Sequence, residues 1–281
     1  MSMATRQRRE KILTEVADRK HVTIRDLASA VTVSEATVRR DLKTLADLGQ
    51  VELAHGGVSL PKNSSFSFRS KGLRNAEEKR AIGRLAAELV GDDEQIFLDS
   101  GTTCFEMLPP LKRKHGLSVI ANSSRVALEW DQPGGIILLG GQYRPDRLDT
   151  VGPLAASSLE QLRGYLAFIG ADGVSMDVGL MASDIDSAQV YRLAIRNARE
   201  TIVLIDHTKF LAPSLFKITG WESISRLVTD RPPPPQWDEF LQARGIKVLC
   251  PENGGSAGPL ALPSPPGGEG WGEGAGAAHN V

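Results

Sequence analysis

The chain has 281 residues, 41% of them hydrophobic and 24% charged, and a net charge of −1. That balance suits a soluble protein of two domains and gives no general affinity for polyanions, so any nucleic-acid contact has to be local. No apolar run approaches the roughly 18 residues of a membrane span, residues 1–9 are too polar and basic for a secretory signal, and Cys104 and Cys250 form no C-x-x-C pair, so a cytoplasmic protein without a membrane anchor, zinc site or disulfide framework is expected.

The first element in chain order is a helix over residues 6–20, with Ile12, Leu13 and Val16 at helical spacing. Thr23 is placed to cap a short second helix that buries Ile24, Leu27 and Ala28, and residues 30–33 make a tight connection to a third. That third helix, within residues 33–45, starts at an N-capping Ser34. Val38, Leu42 and Leu45 form its apolar stripe, while Ala36, Thr37, Arg40, Lys43 and Thr44 gather on the opposite face. Residues 50–53 and 55–60 read as a two-stranded wing, turned at 54–57 around His55-Gly56-Gly57.

Charge alone does not mark this segment, because residues 1–60 hold ten Lys and Arg against eight Asp and Glu. The order of the elements does: three short helices, a tight second connection, an Arg pair and a Gly-Gly wing describe a winged helix-turn-helix. A helix fits a major groove about 12 Å wide. Ser34 and Thr37 are therefore expected to anchor the DNA backbone, and Arg39, Arg40, Lys43 and His55 to meet bases or phosphates.

Residues 61–74 have the composition of a linker, rich in Ser and interrupted by Pro61 and Gly72, with Phe66 and Phe68 available to dock on a neighbour. A helix at 77–90 opens a second domain, 75–250, in which short apolar strands at 95–98, 117–121, 136–139, 165–169, 201–205, 227–229 and 246–249 alternate with segments long enough for crossover helices. The pattern predicts a mostly parallel, Rossmann-like α/β sheet buried on both faces. Residues 251–281 carry nine Gly and five Pro, a composition that predicts a disordered tail.

In open parallel sheets, ligands bind outside the carboxyl ends of the strands. Those ends here read Asp99-Ser100-Gly101-Thr102-Thr103, Asn122-Ser123-Ser124, Gly140-Gly141, Gly170-Ala171-Asp172-Gly173 and Asp206-His207-Thr208-Lys209. A strand-to-helix turn of hydroxyls and glycine favours an anion through its outward amides and the helix dipole. Singly, each tip also reads as a cap, a tight turn or a surface lysine; converging, they suit a small phosphorylated polyol. Its phosphate is expected on Ser100, Gly101, Thr102, Thr103 and Lys209, and its hydroxyls on Asp99, Asn122 and Asp172, with Gly141 nearby. No nucleotide-loop, dinucleotide or zinc-hydrolase motif is present, so no cofactor or metal is expected.

Val33-Ser34 with Thr37-Val38-Arg39-Arg40-Asp41-Leu42, followed by His55-Gly56-Gly57, resembles the N-terminal signature of the DeoR-type bacterial transcriptional regulators, the group that includes glycerol-3-phosphate regulon repressors. Leu98-Asp99-Ser100-Gly101-Thr102-Thr103, Leu139-Gly140-Gly141, Val151-Gly152-Pro153-Leu154-Ala155, Phe168-Ile169-Gly170-Ala171 and Asp206-His207-Thr208-Lys209-Phe210 resemble its C-terminal sensor domain, so the likeness spans about residues 5–250. It implies a homo-oligomeric repressor, a dimer or tetramer, that binds a double-stranded DNA operator and responds to a phosphorylated sugar through a sensor similar to sugar-phosphate isomerases. Where the family commonly has Glu-Ala-x-Val-Lys-Arg, this chain has Ser187-Ala188-Gln189-Val190-Tyr191-Arg192, a loss of one carboxylate and one lysine for which Asp184 and Asp186 are the candidate replacements. The alternative is a sugar-phosphate isomerase or deaminase on the same scaffold, with Asp99 or Asp172 as base and Lys209 holding phosphate.

Overall fold

The computed structural model describes residues 3–19, 21–47, 50–54, 57–59, 68–211 and 213–251. His55, residue 60, the first half of the linker (61–67) and residues 252–281 of the tail lie outside the described residues.

Three helices, α1 (Met3–Arg19), α2 (Ile24–Val31) and α3 (Glu35–Asp47), enclose one small core of Ile12, Leu13, Val16, Leu27, Val38, Leu42 and Leu45. The Thr23 side chain caps α2 by accepting from Asp26 N at 3.1 Å, and α2 ends where Thr32 turns left-handed at φ 55°. The wing has three strands rather than two. Besides β2 (Glu52–Ala54) and β3 (Gly57–Ser59), β1 (His21–Thr23) pairs antiparallel with β3 and sends Val22 into the core. Gly57 is required at that pairing, since a Cβ there would sit 2.5 Å from the Val22 carbonyl.

Part of the stretch read as a linker is a helix, α4 (Phe68–Leu73). Its Phe68 ring packs edge-on against Phe105 at 5.3 Å, with the Arg125 guanidinium over both rings, while Leu73 packs against the core of the N-terminal domain. The expected docking of Phe68 is therefore present, and apolar contacts at each end hold α4 as a bridge between the two domains.

The second domain runs α5 (Ala76–Glu88), β4 (Gln95–Leu98), α6 (Thr102–Phe105), α7 (Leu108–Leu111), β5 (Ser118–Ala121), α8 (Ser124–Glu129), β6 (Ile136–Leu138), β7 (Gln142–Arg144), β8 (Asp149–Val151) and α9 (Pro153–Glu160). It continues through β9 (Leu166–Gly170), β10 (Gly173–Ser175), β11 (Gly179–Ala182), α10 (Ile185–Asn197), β12 (Glu200–Leu204), β13 (Phe216–Thr219), β14 (Arg226–Val228), α11 (Pro235–Gln242) and β15 (Lys247–Leu249). All seven expected strands join one sheet in the order β15-β14-β12-β9-β4-β5-β6, and every pairing is parallel.

Alternation along the strands divides the core in two. Ile96, Leu98, Leu166, Phe168, Ile202 and Leu204 face one helical layer; Phe97, Ala167, Ile169 and Val203 face the other. Each large side chain buried this way contributes roughly 1.5–3 kcal/mol. The edge strand β6 departs from the expected burial, with Ile137 and Leu138 exposed. A hairpin β7-β8 and a small antiparallel sheet β10-β11-β13 are additions that the sequence did not announce. Among the described residues no helix is long and apolar enough to cross a membrane.

The strand order reverses between β4 and β9: the chain steps outward from β4 to β5 and β6, then returns to the other side of β4 for β9, β12, β14 and β15. The connections diverge there and leave a crevice at the carboxyl ends of β4, β9 and β12.

Candidate functional site

On the N-terminal domain, Ser34 Oγ accepts from Thr37 N at 3.3 Å and lies 3.0 Å from Thr37 Oγ1, so the two hydroxyls brace the start of α3. Arg40 and Lys43 are exposed on the outward face, as expected, and Arg39 is also exposed but reaches back to Glu35 at 3.3 Å. Asp41, which sequence reasoning passed over, is buried at the side of the apolar stripe. It accepts from Arg8 Nε at 2.6 Å and Arg9 Nε at 2.7 Å, and Arg9 continues to Thr44 Oγ1 at 3.2 Å. Burial pushes the Asp41 carboxyl upward, but the hydrogen bonds and charges of the two arginines outweigh it and hold the group below its ordinary value. The fork thus sets how α3 projects from α1.

In the second domain, the crevice opens into a cavity of about 590 Å³. It brings together Asp99, Ser100, Gly101, Thr102, Thr103, Asp172 and Lys209 from the expected set, but not Asn122 or Gly141. Topology explains the difference, because both omitted residues follow strands on the far side of β4. Asn122 is fully buried and its Nδ2 donates to the Thr150 carbonyl at 3.1 Å; Gly141 packs so closely on β8 that a Cβ would lie 2.5 Å from Val151 O.

The turn after β4 is also less open to an anion than its sequence suggests. Asp99 folds back so that one carboxylate oxygen accepts from Gly101 N at 2.7 Å and the other from Gly170 N. Burial raises the Asp99 pKa, opposed by those two amides and by Cys104. Gly101's amide is thereby turned inward, and Asp99 ties β4 to β9 at the floor of the cavity.

Cations reach the cavity from elements that the strand-end argument did not consider. Lys71 on α4, Arg74 beyond it, Lys79 on α5 and Arg147 from the β7-β8 hairpin all line it. Lys71 Nζ lies 2.6 Å from Asp172 Oδ1, while Asp172 Oδ2 accepts from Ser183 N at 2.8 Å. Burial pushes the Asp172 carboxyl up, but the Lys71 ammonium and the Ser183 bonds more than reverse this and bring it to about 2. Lys79 Nζ donates to the carbonyls of Lys71 and, at 2.6 Å, of Arg74, so it caps the end of α4. Burial lowers its pKa to about 8, with Asp206 opposing and Lys209, Lys71 and Arg74 assisting. The sequence does hold a signal for Lys79: it shares the buried face of α5 with Ile82, Gly83 and Ala86, where an unpaired lysine is costly.

Asp206, beside Lys79, is buried. Its Oδ1 accepts from Asn75 Nδ2 at 3.0 Å, whereas Oδ2 has no hydrogen-bond partner among the described residues and lies 4.0 Å from Lys209 Nζ. At the family-motif departure, neither candidate replacement supplies the missing carboxylate. Asp186 is exposed outside the cavity, and Asp184 caps α10 through Ser187 N at 2.9 Å while it pairs with Arg144 at 2.7 Å and with Arg147 at 2.5 Å. Arg144 forks onto Asp149 and also reaches Ser187 Oγ at 2.8 Å, so an internal ion-pair network occupies this corner.

Comparison with known proteins covers both domains. Residues 8–64 match the DeoR-like helix-turn-helix domain and residues 74–231 the DeoR C terminal sensor domain. The chain is 32% identical over 250 residues to the HTH-type transcriptional regulator GolR of Listeria innocua, covering 88% of this chain and 98% of that one. It is 29% identical over 248 residues to the HTH-type transcriptional repressor CsqR of Escherichia coli (87% and 95%), and 28% identical over 252 residues to the glycerol-3-phosphate regulon repressor of Escherichia coli (88% and 100%). Among solved structures, ribose 5-phosphate isomerase A from Methanocaldococcus jannaschii aligns at a TM-score of 0.35 and 21% identity, over 48% of this chain and 54% of that one. With both domains matched in order and relatives aligned over nearly their full length, the chain belongs to the DeoR family of DNA-binding transcriptional regulators.

Proposed function

We propose that the protein is a cytoplasmic repressor of an operon for sugar or polyol metabolism, and that a phosphorylated sugar bound in the cavity alters its hold on double-stranded operator DNA. The observation that carries this reading is the sorting of charge inside one crevice: Lys79 and Lys209 stand together where a phosphate would be held, beside the acceptor oxygens of Asp172 and Asp206 that suit hydroxyl groups. The turn at Ser100, Thr102 and Thr103 supplies further hydroxyls. Two relatives point the same way by name, the glycerol-3-phosphate regulon repressor and the putative aga operon transcriptional repressor of Escherichia coli. Arg40 and Lys43 are the side chains that would meet DNA, and a homo-oligomer would pair two readers on adjacent half-sites.

The isomerase or deaminase alternative needs a carboxylate free to take a proton. Asp99 has both oxygens on backbone amides and Asp172 is paired with Lys71, which argues against either of these two as the base. The test is selection of bound fragments from genomic DNA by the full-length protein, followed by mobility-shift titration with a panel of sugar and polyol phosphates. A defined operator whose retention changes with one phosphorylated compound is the expected result. Absence of any enriched sequence, or turnover of a sugar phosphate in a coupled assay, would overturn it.

A further inference from the structure

Helix α4 is held to the sensor by charges that also line the ligand cavity. Lys71 reaches from its surface to Asp172, and Lys79 grips its last carbonyls from below. One residue past Gly72, Leu73 packs on the core of the DNA-reading domain, and α4 also packs directly on α1. The element that joins reader to sensor is therefore part of the cavity wall.

We propose that Lys71 is an internal competitor for the effector: its ammonium occupies Asp172, and a polyhydroxylated ligand that takes Asp172 displaces it and loosens α4. The inference rests on the reading that a phosphorylated polyol binds in this cavity. The two partners differ in how firmly they are set. Asp172 is a fixed post, since Ser183 N holds its second oxygen and Met181 O accepts from its backbone amide at 2.9 Å. Lys71 is an arm on a six-residue helix.

The Lys71 and Asp172 side chains are each 28% exposed, so the pair is reachable from the cavity and partly screened by water. A ligand hydroxyl replaces the ammonium without leaving either charge buried and alone, because the freed lysine swings into solvent. The ligand's phosphate acts in the same direction on the second tether. Lys79 faces the cavity, and an anion there competes with the carbonyls of Lys71 and Arg74 for its ammonium. Both tethers thus weaken when one molecule binds, which is the differential interaction that a ligand must have to shift a conformational equilibrium.

Amide hydrogen exchange across residues 68–75 of the full-length protein tests this. Without ligand, Lys71→Met should exchange about tenfold faster in this segment than wild type, with β4 and β9 as unchanged internal references. Asp172→Asn, which keeps an acceptor for Ser183 N but removes the charge that holds the lysine, should speed exchange in the same way. Unchanged exchange in both variants would sink the proposal. With glycerol 3-phosphate, ribose 5-phosphate, glucose 6-phosphate and inorganic phosphate as probes, a polyol phosphate that binds wild type should speed exchange in the same segment. It should also bind Lys71→Met at least about threefold tighter, because the competitor is gone. Binding that leaves α4 exchange unaltered overturns the competition and leaves the cavity reading standing. No binding by any of the four counts against the cavity reading itself and takes the inference with it.

Discussion

The Tyr191 hydroxyl lies 2.8 Å from Ser100 Oγ, joining α10 to the turn after β4 at a position where the family pattern has lysine. Ser100 in turn donates to Asp149 at 2.9 Å, so the phenol completes a chain that ends on the Arg144 fork. Burial first, then the nearby Asp99 and Asp149 charges, drive the Tyr191 pKa well above its ordinary value, and the hydroxyl stays protonated. Tyr191→Phe should lower unfolding free energy by about 1 kcal/mol in a urea titration, the net worth of one buried hydrogen bond. An unchanged midpoint would mean that Ser100 re-pairs without loss.

The fork of Arg8 and Arg9 on Asp41 should matter to both folding and DNA binding. Asp41→Asn is expected to destabilise the protein by about 2 kcal/mol, below the full cost of stripping a buried charge because the two arginines retain some access to water. The sign of its pH dependence follows from the lowered pKa. The stabilisation is complete above the ordinary carboxylate value of 3.8 and is lost as pH falls through the folded value, so wild type and variant should converge in acid. A difference that grows on acidification would refute the pairing.

Arg40 and Lys43 share the outward face of α3 without taking part in its core. Arg40→Ala should cost about 1–3 kcal/mol of operator affinity if the guanidinium reads a guanine, whereas a phosphate contact would show as a salt slope reduced by about one. Fluorescence anisotropy at several salt concentrations separates the two. Full affinity in both Arg40→Ala and Lys43→Ala would put a different face in the groove.

Lys79 carries the clearest alkaline signature. Its folded pKa of about 8 lies below the unfolded 10.5, so the unfolded chain binds more protons between these values, and this group's contribution to stability rises with pH across that window. The unfolding free energy of wild type relative to Lys79→Met should therefore increase between pH 8 and pH 10.5, on the order of 2–3 kcal/mol in total. Anion binding should move oppositely, falling as the ammonium is lost. A flat stability difference in equilibrium denaturation at stepped pH would show that Lys79 is not buried as described.

Much of this architecture was legible because apolar periodicity reports burial directly. The stripe Val38, Leu42, Leu45 and all seven sheet strands follow from it, as does the crevice at the strand ends. What escaped depends on pairings between distant segments. Asp41 reads as a surface acid until Arg8 and Arg9 are brought over it, and Asn122 reads as a strand-end ligand until the order β9-β4-β5 carries it away from the crevice. Composition misled at residues 68–73, where a segment that looks like a connector becomes helical because Phe68 and Leu73 find apolar partners on either side. The cations of the cavity stayed hidden for the same reason, since they enter from α4, α5 and a hairpin rather than from the strand tips.

The sharing of α4 between the domains bears on any exchange of parts between regulators of this kind. A graft that begins at residue 74, where the family sensor match begins, leaves Phe68 and Lys71 with the donor and gives the recipient a binding chamber with one side missing. A junction placed ahead of Phe68 carries the chamber whole but brings Leu73 against a foreign reader surface. Hybrids cut before Phe68 should thus retain ligand recognition and stand or fall on how well the new reader's first helix accommodates α4 and the apolar side chain of Leu73, which makes residue 73 the position to randomise first.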